Sequence, residues 1–141
     1  MLISIIIPAF NEENTIGTLL SKIKTVEIQS EISLEVIVVN DGSSDKTAKI
    51  VSSFDGIKLI NQLNQGKGSA VQKGIAVANG DYILIQDADL EYSPDDYRVL
   101  FEPIKNKTKQ LSVYGRRKKS EDDFSTKFIS WLKKHPDQPV T

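Results

Sequence analysis

Gln86-Asp87-Ala88-Asp89-Leu90-Glu91 places three carboxylates at alternate positions directly after the apolar run Tyr82-Ile83-Leu84-Ile85. A buried strand that ends this way presents oxygen ligands at the carboxyl edge of a sheet. Hard divalent cations such as Mg²⁺ or Mn²⁺ prefer such ligands, usually one or two carboxylates completed by substrate phosphates. Short acidic loops are common, so the run draws meaning from two further segments. Pro8-Ala9-Phe10-Asn11-Glu12 follows the apolar stretch Leu2–Ile7, and Asn40-Asp41-Gly42-Ser43-Ser44-Asp45 follows Leu34–Val39. Each has a purely structural reading, with Asn11 and Ser44 as helix caps, Gly42 as a turn residue and Asp41 as a solvated acid. Three acidic segments crowded on one sheet edge repel one another. A cation, or a ligand rich in donors, explains the clustering better.

Asn64-Gln65-Gly66-Lys67-Gly68-Ser69 is a fourth polar segment. Two glycines flank a lysine just before a helical stretch, so backbone N–H groups and a cation can face a phosphate. The spacing matches neither Gly-x-x-x-x-Gly-Lys-Ser/Thr nor Gly-x-Gly-x-x-Gly. Taken alone, the segment reads as an ordinary loop with a solvated lysine.

The elements that must position these groups alternate along the chain. Leu2–Ile7, Leu34–Val39, Ile57–Ile60, Tyr82–Ile85 and Leu111–Tyr114 are short apolar runs suited to a parallel sheet covered on both faces. Ile16, Leu19, Leu20 and Ile23 follow helical spacing, as do Thr47, Ile50, Val51 and Phe54 with Ser44 as the expected N-cap. Residues 68–78 form a helix of small side chains that should lie close to the sheet, stopped by Asn79-Gly80. Ser93-Pro94-Asp95-Asp96 is a helix start, and Tyr97, Leu100, Phe101 and Ile104 continue that helix on one face. The order βαβαβαβαβ predicts a three-layer, doubly wound, mostly parallel α/β domain with right-handed crossovers. Ligands of such open sheets bind outside the carboxyl ends of the strands.

Bulk properties narrow the class. With 141 residues, 39% of them hydrophobic, the chain can bury one core and is too short for two ordinary domains. A formal net charge of −1 offers no basic field for nucleic acid. Cysteine is absent, which removes disulfide and thiolate chemistry and fits a reducing compartment. Leu2 to Pro8 has no basic leader and is interrupted by Ser4, so it reads as a strand, not a signal peptide. No apolar run approaches the roughly 20 residues that span a bilayer.

Four segments together carry a resemblance. Ile7-Pro8-Ala9-Phe10-Asn11-Glu12-Glu13, Val38-Val39-Asn40-Asp41-Gly42-Ser43-Ser44-Asp45-Lys46-Thr47, Asn64-Gln65-Gly66-Lys67-Gly68 and Asp87-Ala88-Asp89 resemble, in order and spacing, the signature series of family 2 glycosyltransferases with the Rossmann-like GT-A fold. The resemblance covers about residues 2–117. Asp87-Ala88-Asp89-Leu90-Glu91-Tyr92-Ser93-Pro94 and Val113-Tyr114-Gly115-Arg116-Arg117 look most like the polyprenyl-phosphate (dolichol-phosphate) mannosyl- and glucosyltransferase branch.

The resemblance implies transfer of a hexose from a GDP- or UDP-sugar with Mn²⁺ or Mg²⁺, and a polyprenyl phosphate as candidate acceptor. The implied nucleotide-sugar site takes in Pro8, Ala9, Phe10, Glu12, Val39, Asp41, Lys67, Asp87, Ala88, Asp89 and Arg117. Among these, Pro8, Phe10, Glu12, Val39 and Asp41 match positions around base and ribose. Asp87 and Asp89 match the metal and diphosphate acids, and Glu91 stands where that branch often has a glutamine near the metal. Arg117 matches an arginine facing the donor phosphates, although Arg116 replaces the usual serine beside it. Negative charge develops on the leaving diphosphate, and a metal with Arg117 and Lys67 would stabilise it. An ionised phosphate acceptor needs little base catalysis, whereas a hydroxyl acceptor needs a carboxylate base. No catalytic base is assigned.

The expected organisation is a nucleotide-sugar-binding core over 1–117 and an amphipathic segment over 118–141 with an incomplete acceptor region. Family members continue further, so the chain reads as C-terminally short. Phe124, Phe128, Trp131 and Leu132 fall on one helical face beside Lys127, Lys133 and Lys134. That face can pack on the domain, lie on a membrane or lipid acceptor, or bind a second copy or partner. His135 reads as solvated. The expected location is cytoplasmic, peripheral at the cytoplasmic membrane face. A competing reading is a non-catalytic nucleotide-sugar-binding or interaction module that has lost the acceptor half. A nucleotidyltransferase is disfavoured because no Gly-rich, Arg-containing loop follows the first strand.

Overall fold

The computed structural model describes residues 1–104 and 131–133. Strand β1 (Leu2–Ala9), helix α1 (Ile16–Thr25), β2 (Ser33–Asp41), α2 (Thr47–Ser52), β3 (Ile57–Gln62), α3 (Lys67–Val77) and β4 (Tyr82–Ile85) follow the expected alternation. A 3₁₀ turn (Pro94–Asp96), helix α4 (Tyr97–Phe101) and a second 3₁₀ turn (Glu102–Ile104) come next. The sheet order is β3-β2-β1-β4-β5, with the first four strands parallel. Their carboxyl ends therefore share one edge.

Alternation along β1 divides the core in two, because successive side chains point to opposite faces. Ile3, Ile5 and Ile7 pack with Ile16, Leu19, Leu20, Val51, Tyr97 and Phe101, so α1, α2 and α4 cover one face. Ile6, Ile37, Val39 and Ile83 pack with Ala70 of α3 on the other. Three layers result, and the near-continuous apolar strands are explained by burial on both sides. Among the described residues, no helix is long and apolar enough to cross a membrane.

Local details refine the sequence reading. Ser93 caps as expected, its Oγ accepting from Asp95 N at 3.2 Å with Pro94 in the first turn, but that turn is 3₁₀. Ser44 does not cap α2. Asp45 Oδ1 accepts from Thr47 N at 2.9 Å instead, and Ser44 turns both its N and its Oγ to Asn11 Oδ1. At the amino edge, Glu35 accepts from Ser4 Oγ, Asn79 N and Asn79 Nδ2 at 2.8–2.9 Å, and Ser4 Oγ accepts from Gly80 N. Asn79-Gly80 thus leaves α3 by being tied to β1 and β2.

The C-terminal expectations fare differently. Leu111–Tyr114, Arg117, Phe124, Phe128 and His135 lie outside the described residues. Trp131–Lys133 is not helical but forms β5, antiparallel to β4. The backbone donors and acceptors at the open edge of β4 offer pairing that outweighs the apolar spacing on which a helix was expected.

Gly74 of α3 faces Ile6, and a Cβ there would stand 2.5 Å from Ile6 Cγ2. Gly68, on the same helix, faces open space. Gly74→Ala should therefore destabilise by about 1–3 kcal/mol through overpacking. Gly68→Ala should stabilise by up to about 1 kcal/mol through helix propensity. Urea denaturation of both variants checks this, and matching midpoints would contradict the close approach of α3.

Candidate functional site

The parallel register sets Asn40 beside Asn61 and Asp41 beside Gln62 at the ends of β2 and β3. Side chains follow the same pairing: Asn40 Nδ2 donates to Asn61 Oδ1 at 2.9 Å, and Gln62 Nε2 donates to Asp41 Oδ1 at 2.8 Å. Asp41, 4% exposed, also accepts from Gln65 N at 2.8 Å and Gly66 N at 2.9 Å. Burial pushes its carboxyl up, and the hydrogen bonds from Gln62, Gln65 and Gly66 outweigh it, so the pKa lies below the ordinary carboxylate value. The group is a buried carboxylate held ionised. Gly42, at φ 72°, turns the chain where a Cβ would lie 2.6 Å from Asn64 N, so only glycine fits.

The loop after β1 is stitched to the loop after β2. Asn11 adopts φ 52°, its N donates to Ser43 Oγ at 2.9 Å, and its Oδ1 accepts from Ser44 N at 2.9 Å. Glu12 N donates to Thr47 Oγ1, Glu13 N to Asp45 Oδ2, and Lys46 N to Glu13 Oε2. Asp45 is held below its ordinary pKa because hydrogen bonds, chiefly from Thr47, overcome the opposing effect of burial.

The acidic loop after β4 closes the edge. Asp87 Oδ1 receives Lys67 Nζ in an ion pair, which brings the start of α3 onto the loop. Asp89 Oδ1 accepts from Glu91 N at 3.0 Å, and Leu90 adopts φ 62°. Thr15 Oγ1 donates to Ala88 O at 2.7 Å and lies 3.0 Å from Glu12 Oε2, which links this loop to that of β1.

The structure thus gathers Phe10, Glu12, Asp41, Lys67, Asp87 and Asp89 at one edge. Phe10 is exposed, 48%, and offers an open aromatic face. Pro8, Ala9, Val39 and Ala88 are buried; the Val39 side chain lies in the core under α3, so only its backbone can face a ligand. Asp87, Asp89 and Glu91 do not converge: no group of three such side chains able to hold a metal occurs among the described residues. Asp87 and Asp89 are both hard oxygen donors, of the chemistry that divalent cations prefer, and Lys67 now supplies the positive charge that Asp87 meets.

Sequence reasoning missed the supporting residues. Gln62 and Thr15 act on groups 21 and 73 residues away, which no local motif marks, while Gln65 and Gln86 lie inside the quoted segments without an assigned role.

The family model for glycosyl transferase family 2 matches residues 4–138. The chain belongs to glycosyl transferase family 2. A dolichyl-phosphate beta-glucosyltransferase of Trichomonas vaginalis is 35% identical over 91% of this chain and 45% of its own length. An undecaprenyl-phosphate 4-deoxy-4-formamido-L-arabinose transferase of Aeromonas hydrophila is 30% identical over 94% and 40%. The chain spans less than half the length of these curated relatives. Glucosyl-3-phosphoglycerate synthase from Mycobacterium tuberculosis, solved with Mn²⁺, UDP and phosphoglyceric acid, superposes with a TM-score of 0.63 at 26% identity, covering 75% of this chain and 39% of that one. The GT-A fold of this family 2 chain is thereby established.

Asp41→Ala should weaken binding of the nucleoside part equally in Mn²⁺ and in EDTA. Since the folded pKa lies below the unfolded one, Asp41 adds stability above the unfolded value, and this is lost as pH falls through the folded pKa. The stability gap between parent and variant should therefore be largest near neutrality and shrink in acid. Calorimetry and denaturation against pH measure both, and loss confined to metal-dependent binding would place Asp41 among the metal ligands instead.

Proposed function

We propose that this chain forms the donor site of a hexosyltransferase that takes its sugar from a UDP- or GDP-hexose and passes it to a polyprenyl phosphate. The observation that carries the reading is the buried, ionised Asp41 on the same edge as Asp87 and Asp89. A carboxylate kept charged at a strand end accepts hydrogen bonds from a base or ribose, while the acidic loop meets the diphosphate. Prenyl-phosphate sugar transferases among the relatives support the acceptor class, and a Mn²⁺ and UDP complex among the structural neighbours supports metal and nucleotide.

Asp87 and Asp89 would hold Mn²⁺ or Mg²⁺, which supplies positive charge for the departing diphosphate. Lys67, now on Asp87, can turn to a phosphate oxygen once that carboxylate is engaged. Phe10 can stack on the base. Glu12, kept near Thr15, lies between the base side and the acidic loop. An acceptor phosphate is already ionised, so the chain need only orient it and exclude water. Such an acceptor puts the reaction at a membrane surface, on the cytoplasmic face where nucleotide sugars are held.

A calorimetric screen of UDP- and GDP-sugars with Mn²⁺, followed by transfer to a polyprenyl phosphate, tests the reading. Binding without transfer or donor hydrolysis would favour a non-catalytic binding module. Asp89→Asn should lower Mn²⁺-dependent nucleotide affinity roughly tenfold or more, about 1.4 kcal/mol, with little change in the unfolding midpoint. Equal affinity of parent and variant in Mn²⁺ and in EDTA would remove Asp89 from the metal site.

A further inference from the structure

Gln86 is fully buried at the root of the acidic loop, and its amide is used at both ends. Nε2 donates to Asp87 O at 3.1 Å and to Tyr92 O at 3.0 Å, so one side chain grips the first residue of the loop and its last. Oε1 accepts from Tyr97 OH at 2.7 Å. Only one amide orientation satisfies these partners. The reverse would set the carbonyl oxygen against two carbonyl oxygens. Tyr97 is itself fully buried, and burial pushes its phenol pKa up, so the hydroxyl stays protonated and donates.

Between the gripped ends the backbone is unfavourable. Leu90 sits at φ 62°, a left-handed conformation that costs a leucine energy and persists only where surrounding contacts impose it. Thr15 Oγ1 supplies a third hold, on the carbonyl of Ala88 between the two acids. The loop is thus pinned by its carbonyls, at Asp87, Ala88 and Tyr92, by two side chains that touch neither carboxylate in this geometry.

We propose that Gln86 and Thr15 are positioning residues for the acidic loop, setting the directions of Asp87 and Asp89 toward a divalent cation and diphosphate without contacting either. The inference rests on the donor-site reading above. Partners that orient metal ligands at one remove typically change metal affinity by about 10- to 100-fold when altered. Gln86→Glu is the sharpest probe, since it keeps the shape and replaces the donating nitrogen with an oxygen facing two carbonyls. Thr15→Val removes the third hold from a half-buried position at the start of α1, where the Thr15 side chain makes no capping hydrogen bond, and keeps the side chain's shape.

The test is calorimetric binding, in Mn²⁺ and in EDTA, of whichever of UDP and GDP the parent chain binds. Unfolding midpoints are measured alongside. Both variants should lose about tenfold or more of the affinity gained from Mn²⁺ while keeping the parent's affinity in EDTA. Should Gln86→Glu fail to fold, Thr15→Val together with Tyr97→Phe, which frees Gln86 Oε1, carries the same expectation with a smaller loss. Unchanged Mn²⁺-dependent affinity would overturn the proposal, as would equal losses in Mn²⁺ and EDTA, which mark a general structural defect. A parent chain whose nucleotide affinity is the same with and without Mn²⁺ would instead overturn the metal-site reading, and this inference with it.

Discussion

A carboxylate removed from water must be met by donors or protonated, and at Asp41 the donors come from three places that the fold has to bring together. Gln62 reaches it because β2 and β3 are parallel and in register, and the backbone of Gln65 and Gly66 reaches it because the chain turns directly into α3. Each such hydrogen bond to a charged group is worth roughly 1.5–3 kcal/mol, and leaving the charge unmet would cost more. Satisfying this group fixes where the chain enters α3, while Ala70 and Gly74 let the helix lie close on Ile6. The rest of the edge depends on that placement, since Lys67 at the start of α3 is what meets Asp87.

The edge is crowded with acids, yet most of them are occupied within the protein. Asp45 accepts from Glu13 N and Glu13 accepts from Lys46 N, Asp89 turns onto Glu91 N, and Asp87 holds Lys67. Loops that would otherwise repel are thus tied into a ring through β1, β2, β3 and β4. Such a ring arranges charge and dipoles before a ligand arrives, which limits the reorganisation that binding or transfer must overcome. The opposite edge has a different task. Glu35, Ser4, Asn79 and Gly80 close one another's hydrogen bonds there, and hydrogen bonding holds Glu35 below its ordinary pKa despite the opposing effect of burial.

Much of this was legible in the chain itself. Apolar runs of four to eight residues alternating with 3.6-residue periods specify strands and helices because each element must bury one face or both. Leu2–Ile7 and Tyr82–Ile85 were placed to within two residues, and the last of these without error. The three acidic strand ends could be assigned to one edge because all parallel strands finish there. Asp41, Asp87 and Asp89 were accessible to sequence reasoning for that reason. Ser44 was not, because an acceptor on Asn11, 33 residues away, competes for it. The helix expected around Trp131 and Leu132 gave way to a strand, since an open sheet edge is a partner that no local spacing reveals.

The sequence alone therefore determined the four parallel strands and the helices between them, which family they resemble and which acids stand at strand ends, since these depend on local periodicity and chain order. Tertiary structure alone decided what those acids do. Val39 and Asp41 are two residues apart on one strand and both buried, yet one packs under α3 and the other receives donors from β3 and from the turn into α3. Asp87, Asp89 and Glu91 alternate in sequence, yet among the described residues no three such side chains form a metal-holding group. Gln86 had no role in the sequence reading, and its amide bonds the carbonyls of Asp87 and Tyr92 at the two ends of the loop. Hydrogen bonds made by the folded backbone, in surroundings from which water is excluded, decide such matters, and no spacing along the chain encodes them.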